Sequence, residues 1–560
     1  MIKKELGSMT SFVLGLIATF ACMPLCNAVA QQSPKPAAVI GIASMDEQLK
    51  DVEYIAGATS EMAGQMSGMA RMQAEGFMPG VDFTKPAGTI LYFVEGKMEP
   101  NAIAFFPVTN LDDTLDRISE YAEIEEDGDT VTILPDNGEE LVLKSQNGYA
   151  FVSDQAELLE NLPKDPGGMI AEQTKKYNVS AVIYPQQVPE ELRQQALDFI
   201  RQGFEASMGD MDDLQASLQE AQFDMQMKQM EMMVNEFERI TIGMDADKAT
   251  ERLFVDINMK GVDDSDMSKR LIASKTSKPS KFTGFLMDNA AITMHNCSGI
   301  SDDDAKLYVE SFENVRDVML DEIVEESDEN KAEVLTKITN QLSSVIKKTL
   351  QGGVLDMGGA IFTTDGINAA FGAQIADARS LESSIKDIVN EAKSELTDEG
   401  LVFNLNSGKH NGFNLHNVTI DLPMDELDDA IGDLFGEQLK VVLGISDSQV
   451  YLAAGKDPET TLKKSIDANI KTSPKSMDLI GQYNFFVAPI MKMVADLQDE
   501  EMMEAMSDEI QETGKDRIRV TYNVVDGEMQ FRMEMQDGIL KMLGVISQYM
   551  GPMAGGGADF

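Results

Sequence analysis

The sequence predicts an α+β fold of two related lobes, each a mainly antiparallel sheet backed by helices, and three observations lead there. A hairpin pattern occurs twice, at residues 239–261 and 517–538. Each copy has one apolar and one polar side, which suits an antiparallel sheet covered on one face rather than a doubly wound parallel one. The order of strands and helices before each copy also repeats, at an offset of roughly 280 residues that fits a duplicated domain rather than a solenoid.

In the second copy Ile518, Val520, Tyr522 and Val524 alternate with Arg517, Arg519, Thr521 and Asn523 up to Asp526 and Gly527. This is the period of a strand with one dry face. A two-residue Asp-Gly turn then sets Tyr522 opposite Phe531 and Val524 opposite Met529. In the first copy Ile240, Ile242 and Met244 face Leu253, Val255, Ile257 and Met259 across a longer turn, and Phe254 is the large apolar residue on the polar side.

Taken in order, the first lobe (31–267) opens with a strand at 37–43 and a Met-rich helical region carrying Ile55, Met62, Met66 and Met69. Strands follow at 89–94 and 102–108, then a helix capped by Asn110 and ended by the acidic turn 125–129. Segments 130–134, 140–144 and 149–152 read as a meander, 155–162 as a short helix and 180–184 as a strand. A helical region from Pro189 leads into 212–238, where Leu214, Leu218, Ala221, Met225 and Met232 form one apolar stripe. Phe223, Met227, Met230, Val234 and Phe237 form another on nearly the opposite side. Such a helix is expected to be sandwiched, or to cover its own lobe with one face and offer the other to a partner.

The Ser- and Lys-rich passage 268–281 reads as a linker to the second lobe, 282–550. There strands are expected at 282–287 and 291–297, then a helix capped by Ser301 and Asp304 and a second helix carrying Leu335, Ile338, Leu342 and Val345. Segments 360–363, 369–375, 378–389, 439–443, 449–453, 459–466 and 485–488 then echo the strand pair, helix, meander, short helix and strand of the first lobe. Residues 401–421 read as a hairpin inserted into the second lobe, and the Gly-rich tail 551–560 as flexible.

Residues 1–30 read as a signal peptide, because Lys3 and Lys4 precede an apolar run at 12–22 and Ala28-Val29-Ala30 offers small residues for cleavage. Pro24 and Asn27 break that run short of the roughly 20 residues a membrane span needs. No later stretch is apolar enough to cross a bilayer, so the expected location is periplasmic or extracellular. Export would leave Cys297 as the one cysteine and exclude an internal disulfide. The formal charge is −49, and −50 without Lys3, Lys4 and Glu5. A field of that sign repels nucleic acid and anionic lipid surfaces.

Three histidines restrict histidine chemistry. His295 and Cys297 share a strand face at i, i+2, which reads as buried structure, with a thiol dyad as the chemical alternative. His410 and His416 flank the Asn411-Gly412 turn and are the candidate metal ligands, should they meet across a hairpin beside a carboxylate. The chain has no Gly-x-Ser-x-Gly elbow, phosphate loop or His-Glu-x-x-His helix, and its aspartate clusters lack the Gly and terminal Glu of an EF-hand loop. No catalytic residue and no cofactor is nominated.

Methionine stands out at 38 residues. It reads as flexible core filling, as an adaptable groove for an apolar ligand or partner, or as thioether Cu(I) ligands. The groove reading nominates Met225, Met227, Met230, Met232, Val234, Phe237, Met493, Met502 and Met506. With the signal peptide and the repeated order of elements, the acidic, Met-rich layout resembles exported proteins of unknown function from aquatic bacteria of the planctomycete type. That resemblance is one of layout and implies no activity or site residue. The expected function is an exported, acidic, two-lobed binding or scaffold protein without catalytic activity, acting on an apolar ligand or a protein that includes a second copy of itself. A carrier of apolar ligands and a divergent hydrolase or metal-binding protein are the alternatives.

Overall fold

The computed structural model describes residues 35–549 apart from 61–62, 66, 69–75, 77, 94–99, 136–139, 208–222, 224–225, 229, 276–277, 327–328, 365, 392–399, 423–437, 473 and 499–500. The expected signal peptide, the Gly-rich tail, Met62, Met66, Met69, Met225 and most of the stripe begun by Leu214 lie outside the described residues. The rest is mixed helix and antiparallel sheet in two compact units, within Met1–Gln48 and Met72–Ala196 and within Leu49–Arg71 and Leu197–Phe560. No helix among the described residues is long and apolar enough to cross a membrane.

The first unit contains β1 (Ala38–Ile42), β2 (Ala87–Tyr92), β3 (Asn101–Pro107), β4 (Ala122–Asp127), β5 (Thr130–Pro135), β6 (Leu141–Gln146), β7 (Tyr149–Ser153) and β8 (Val179–Ile183). They pair antiparallel in the order β8-β1-β2-β3-β7-β6-β5-β4. The meander at β5 to β7 is as expected, and Asn110 caps the helix Leu111–Ile118 by accepting the Asp112 amide. The acidic segment after that helix is a strand rather than a turn. Ile124 stands opposite Ile133 and packs beside it, and Gly128, with φ of 67°, makes the turn one step later. Where one apolar side chain finds a cross-strand partner, flanking acids stay in water and do not prevent a strand.

The second unit contains β9 (Phe237–Asp247), β10 (Arg252–Gly261), β11 (Ile292–Gly299), β12 (Val354–Phe362), β13 (Asn368–Gln374), β14 (Leu401–His410), β15 (Phe413–Asp421), β16 (Gln438–Ile445), β17 (Gln449–Gly455), β18 (Gly481–Phe486), β19 (Arg517–Val525) and β20 (Glu528–Gln536). These twelve form one antiparallel sheet in the order β9-β10-β20-β19-β18-β11-β12-β13-β17-β16-β15-β14. From β18 to β14 the order repeats that of the first unit strand for strand. The hairpin β14–β15 therefore occupies the place of β4 and β5.

Both repeated hairpins have the expected register: Tyr522 faces Phe531, Val524 faces Met529, and Met244 faces Val255. Asp526 and Gly527 take φ of 53° and 80°, the left-handed pair a tight hairpin turn requires. The first hairpin, assigned by its sequence position to the first lobe, joins the second unit, where β10 pairs with β20 from Arg252 to Lys260. The passage read as a linker holds the helix Asp266–Ser274, whose Leu271 is buried with Met259 and Val524.

Residues 282–287 form a 3-10 turn, Thr283–Phe285, and not a strand. The two rings of Phe282 and Phe285, three residues apart, both enter the core with Tyr451, Leu462 and Ile466, which a strand's alternation would also have allowed only at even spacing. Gly372 makes room for them, since a Cβ there would lie 2.7 Å from the Phe282 ring.

Candidate functional site

Side chains directly opposite one another across strands point to the same face, so a register defines rows that cross a sheet. One row runs through Met244, Val255, Met533, Val520 and Tyr483 to Met294 on β11. It continues through Gly359, Phe371, Leu452 and Leu443 to His416 on β15. Up to that histidine every position is apolar or glycine. Helices cover this face on both sides of the row: Leu271 packs with Val524 and Met259, and the helices Val487–Gln498 and Lys541–Tyr549 pack on Ile518 and Met535. Along the row itself Met244 is 49 % exposed, Met533 41 % and Leu452 40 %. Met244 and Met533 flank Val255, two strand spacings or roughly 10 Å apart.

The opposite face is polar at the hairpin end. Asp256 and Arg532 form a double contact, and the Arg532 guanidinium lies 4.4 Å from the centre of the Phe254 ring. That stacking explains the apolar residue on the polar side.

A recess of about 790 Å³ opens where β11 begins and β18 ends. Small buried residues, Ala290, Ala291 and Ala488, make its room, and Phe486 and Met493 add apolar wall. Asp288, Asp496, Asp516 and Lys492 supply its charge.

A buried polar cluster in the second unit joins His295, Ser280 and Asp356, all at most 2 % exposed. The Ser280 hydroxyl donates to Asp356 Oδ1 at 2.7 Å, and its oxygen lies 2.8 Å from His295 Nε2 and accepts the Phe282 amide at 3.0 Å. Asp356 Oδ2 accepts the Lys281 amide at 2.9 Å. In a hydrolytic triad the imidazole stands between hydroxyl and carboxylate and draws the proton off the nucleophile. Here the hydroxyl stands in the middle, between the carboxylate and the imidazole, which is not the order of a hydrolytic triad. Burial pushes the His295 imidazole down to about 4. Burial, then the neighbouring Asp356, pushes the Cys297 thiol up to about 12, whereas a nucleophilic cysteine needs the reverse. Ser280 and Cys297 border a cavity of about 290 Å³, and through Asp356 the cluster ties the 280–285 turn to β12.

The two candidate metal ligands go to different carboxylates. His410 Nε2 lies 2.7 Å from Asp467 Oδ1, which also accepts from Asn411. His416 is buried, its Nδ1 accepts the Asn406 amide at 3.2 Å, and its Nε2 is 3.3 Å from Glu382 Oε1 without hydrogen-bond alignment. Burial alone would raise the Glu382 carboxyl, but donors on Lys386, Asn414 and Arg379 outweigh it and hold it at about 2. Burial and then Lys386 lower the His416 imidazole. Among the described residues no three His, Cys, Asp or Glu side chains are placed to share a metal ion.

The nominated apolar residues disperse. Met227 is buried and Met230 and Val234 partly so, packed with Leu197, Ile200 and Phe204, and Phe223 stacks on Phe204 with ring centres 3.7 Å apart. Phe237 belongs to the cluster around Met259. Met506 is buried, Met232 and Met502 are partly buried, and Met493 borders the recess. The sequence reading missed Asp356 and Glu382, which nothing in their local sequence separates from the other acidic residues. It also missed the row, which exists only once strands are in register. The chain matches no protein-family model, no curated protein and no solved structure.

Proposed function

We propose that this is an exported, acidic binding or scaffold protein without catalytic activity, built from two related lobes by duplication and working through apolar surface. Support for the duplication comes from the strand order shared by the two units, which two unrelated antiparallel sheets would not be expected to have in common. Export is inferred from Lys3, Lys4 and the apolar run that follows them.

The observation that carries the binding reading is the cross-strand row with Met244 and Met533 exposed toward its β9 end. Exposed methionines on either side of Val255 along one apolar row suit an interaction surface, and methionine adapts its shape to what it meets. The occupant in this reading is an apolar ligand or the apolar face of a protein, a second copy included; the sign of the charge disfavours nucleic acid. Binding of a neutral apolar dye to this face, and its loss on placing charge there, tests the reading.

A further inference from the structure

We propose that the recess beside Met493 is a binding site for a small organic cation, an amine or quaternary ammonium carrying an apolar body. Its volume of about 790 Å³ lies within the range of small-molecule clefts. Ala290, Ala291 and Ala488, all buried, are among the residues that line it, and their small side chains leave it room. Phe486 and Met493 also line it, and aromatic and thioether residues are the kinds that favour alkylammonium groups.

The charge around it has one sign left over. Lys492 is held by Asp496 at 3.2 Å, one turn along the same helix, and that pair cancels within itself. Asp288 and Asp516 then leave the recess negative. Asp516 is half-buried, and burial raises its carboxyl in spite of amide donors and the neighbouring Arg517. A cation seated against it would offset that desolvation. An anionic ligand is opposed by the same carboxylates. A divalent metal lacks the set of three ligands, which the described residues do not assemble here. An ammonium group needs only one or two carboxylates and an apolar wall.

The test titrates the intact protein with benzylamine, benzyltrimethylammonium, benzyl alcohol and benzoate, followed by saturation-transfer NMR and calorimetry at two salt concentrations. The two cations are expected to bind and to weaken with salt, benzyl alcohol to bind about tenfold more weakly, and benzoate not to bind. Asp288→Asn with Asp516→Asn should cost about tenfold or more in cation affinity, which corresponds to about 1.4 kcal/mol. Asp302→Asn with Asp303→Asn, beyond the end of β11 that is remote from the recess, should change nothing. Equal binding of benzylamine and benzyl alcohol, equal losses from both charge pairs, or no cation binding at all would overturn the proposal. The recess lies apart from Met244 and Met533, so charging those two positions should leave cation binding intact.

Discussion

Asp256 and Arg532 stand directly opposite each other on β10 and β20, and the guanidinium meets the carboxylate twice, at 2.6 Å each. The fork lies on the β10–β20 ladder that joins the two hairpins into one sheet, and β10 and β20 are the only strands through which the hairpins pair with each other among the described residues. Arg532 also stacks on Phe254 and reaches toward Glu534.

Arg532→Met should therefore destabilise the protein by about 2 kcal/mol, because the buried Asp256 carboxylate loses a two-point charged contact. Urea unfolding measures the loss. Arg532→Lys should recover only part of it, since an ammonium cannot fork or stack in the same way. A change of less than about 0.5 kcal/mol for the methionine variant would mean the fork is a surface pair of little weight.

The buried His295 makes stability depend on pH. Its imidazole is lowered from 6.5 to about 4, so the unfolded chain takes up a proton at a pH where the folded one does not. The contribution is complete above pH 6.5 and is lost as the pH falls through about 4, amounting to roughly 3 kcal/mol over that window. His295→Gln should flatten this part of the pH profile in chemical denaturation. A profile unchanged by the substitution would show that His295 is not held neutral.

Cys297 should be inert while the protein is folded. With its thiol pushed up to about 12 and its Sγ directed at the Lys278 carbonyl, iodoacetamide at pH 8 should leave it unmodified for hours and label it within minutes in strong denaturant. Intact mass measures both. Rapid labelling of the folded protein would contradict the geometry of the cluster.

What could be read from the sequence was what local patterns encode. The alternation of Ile518 to Val524, with the Asp-Gly turn, was enough to place Tyr522 against Phe531, because turn type and dry face demand the same register. Local pattern failed where the partner lay far along the chain. The apolar run 282–287 has the composition of a strand, yet the Ser280 hydroxyl takes the Phe282 amide and starts a 3-10 turn. Segment 401–421 looked like an insertion because its residues do not echo the acidic β4, although it fills the same place in the sheet. Asp356 and Glu382 gained their importance only from burial, and Met244 and Met533 theirs only from β10 lying between them.

The account depends most on the apolar row, and dye binding to it is the direct measurement. Titrating the protein with Nile red, a neutral dye whose emission shifts to the blue in apolar surroundings, should give saturable binding. Met244→Lys with Met533→Lys should weaken it about tenfold, or about 1.4 kcal/mol, with circular dichroism and melting temperature unchanged. Failure of the native protein to bind the dye, or equal binding by the doubly charged variant, would contradict a function based on this face of the sheet.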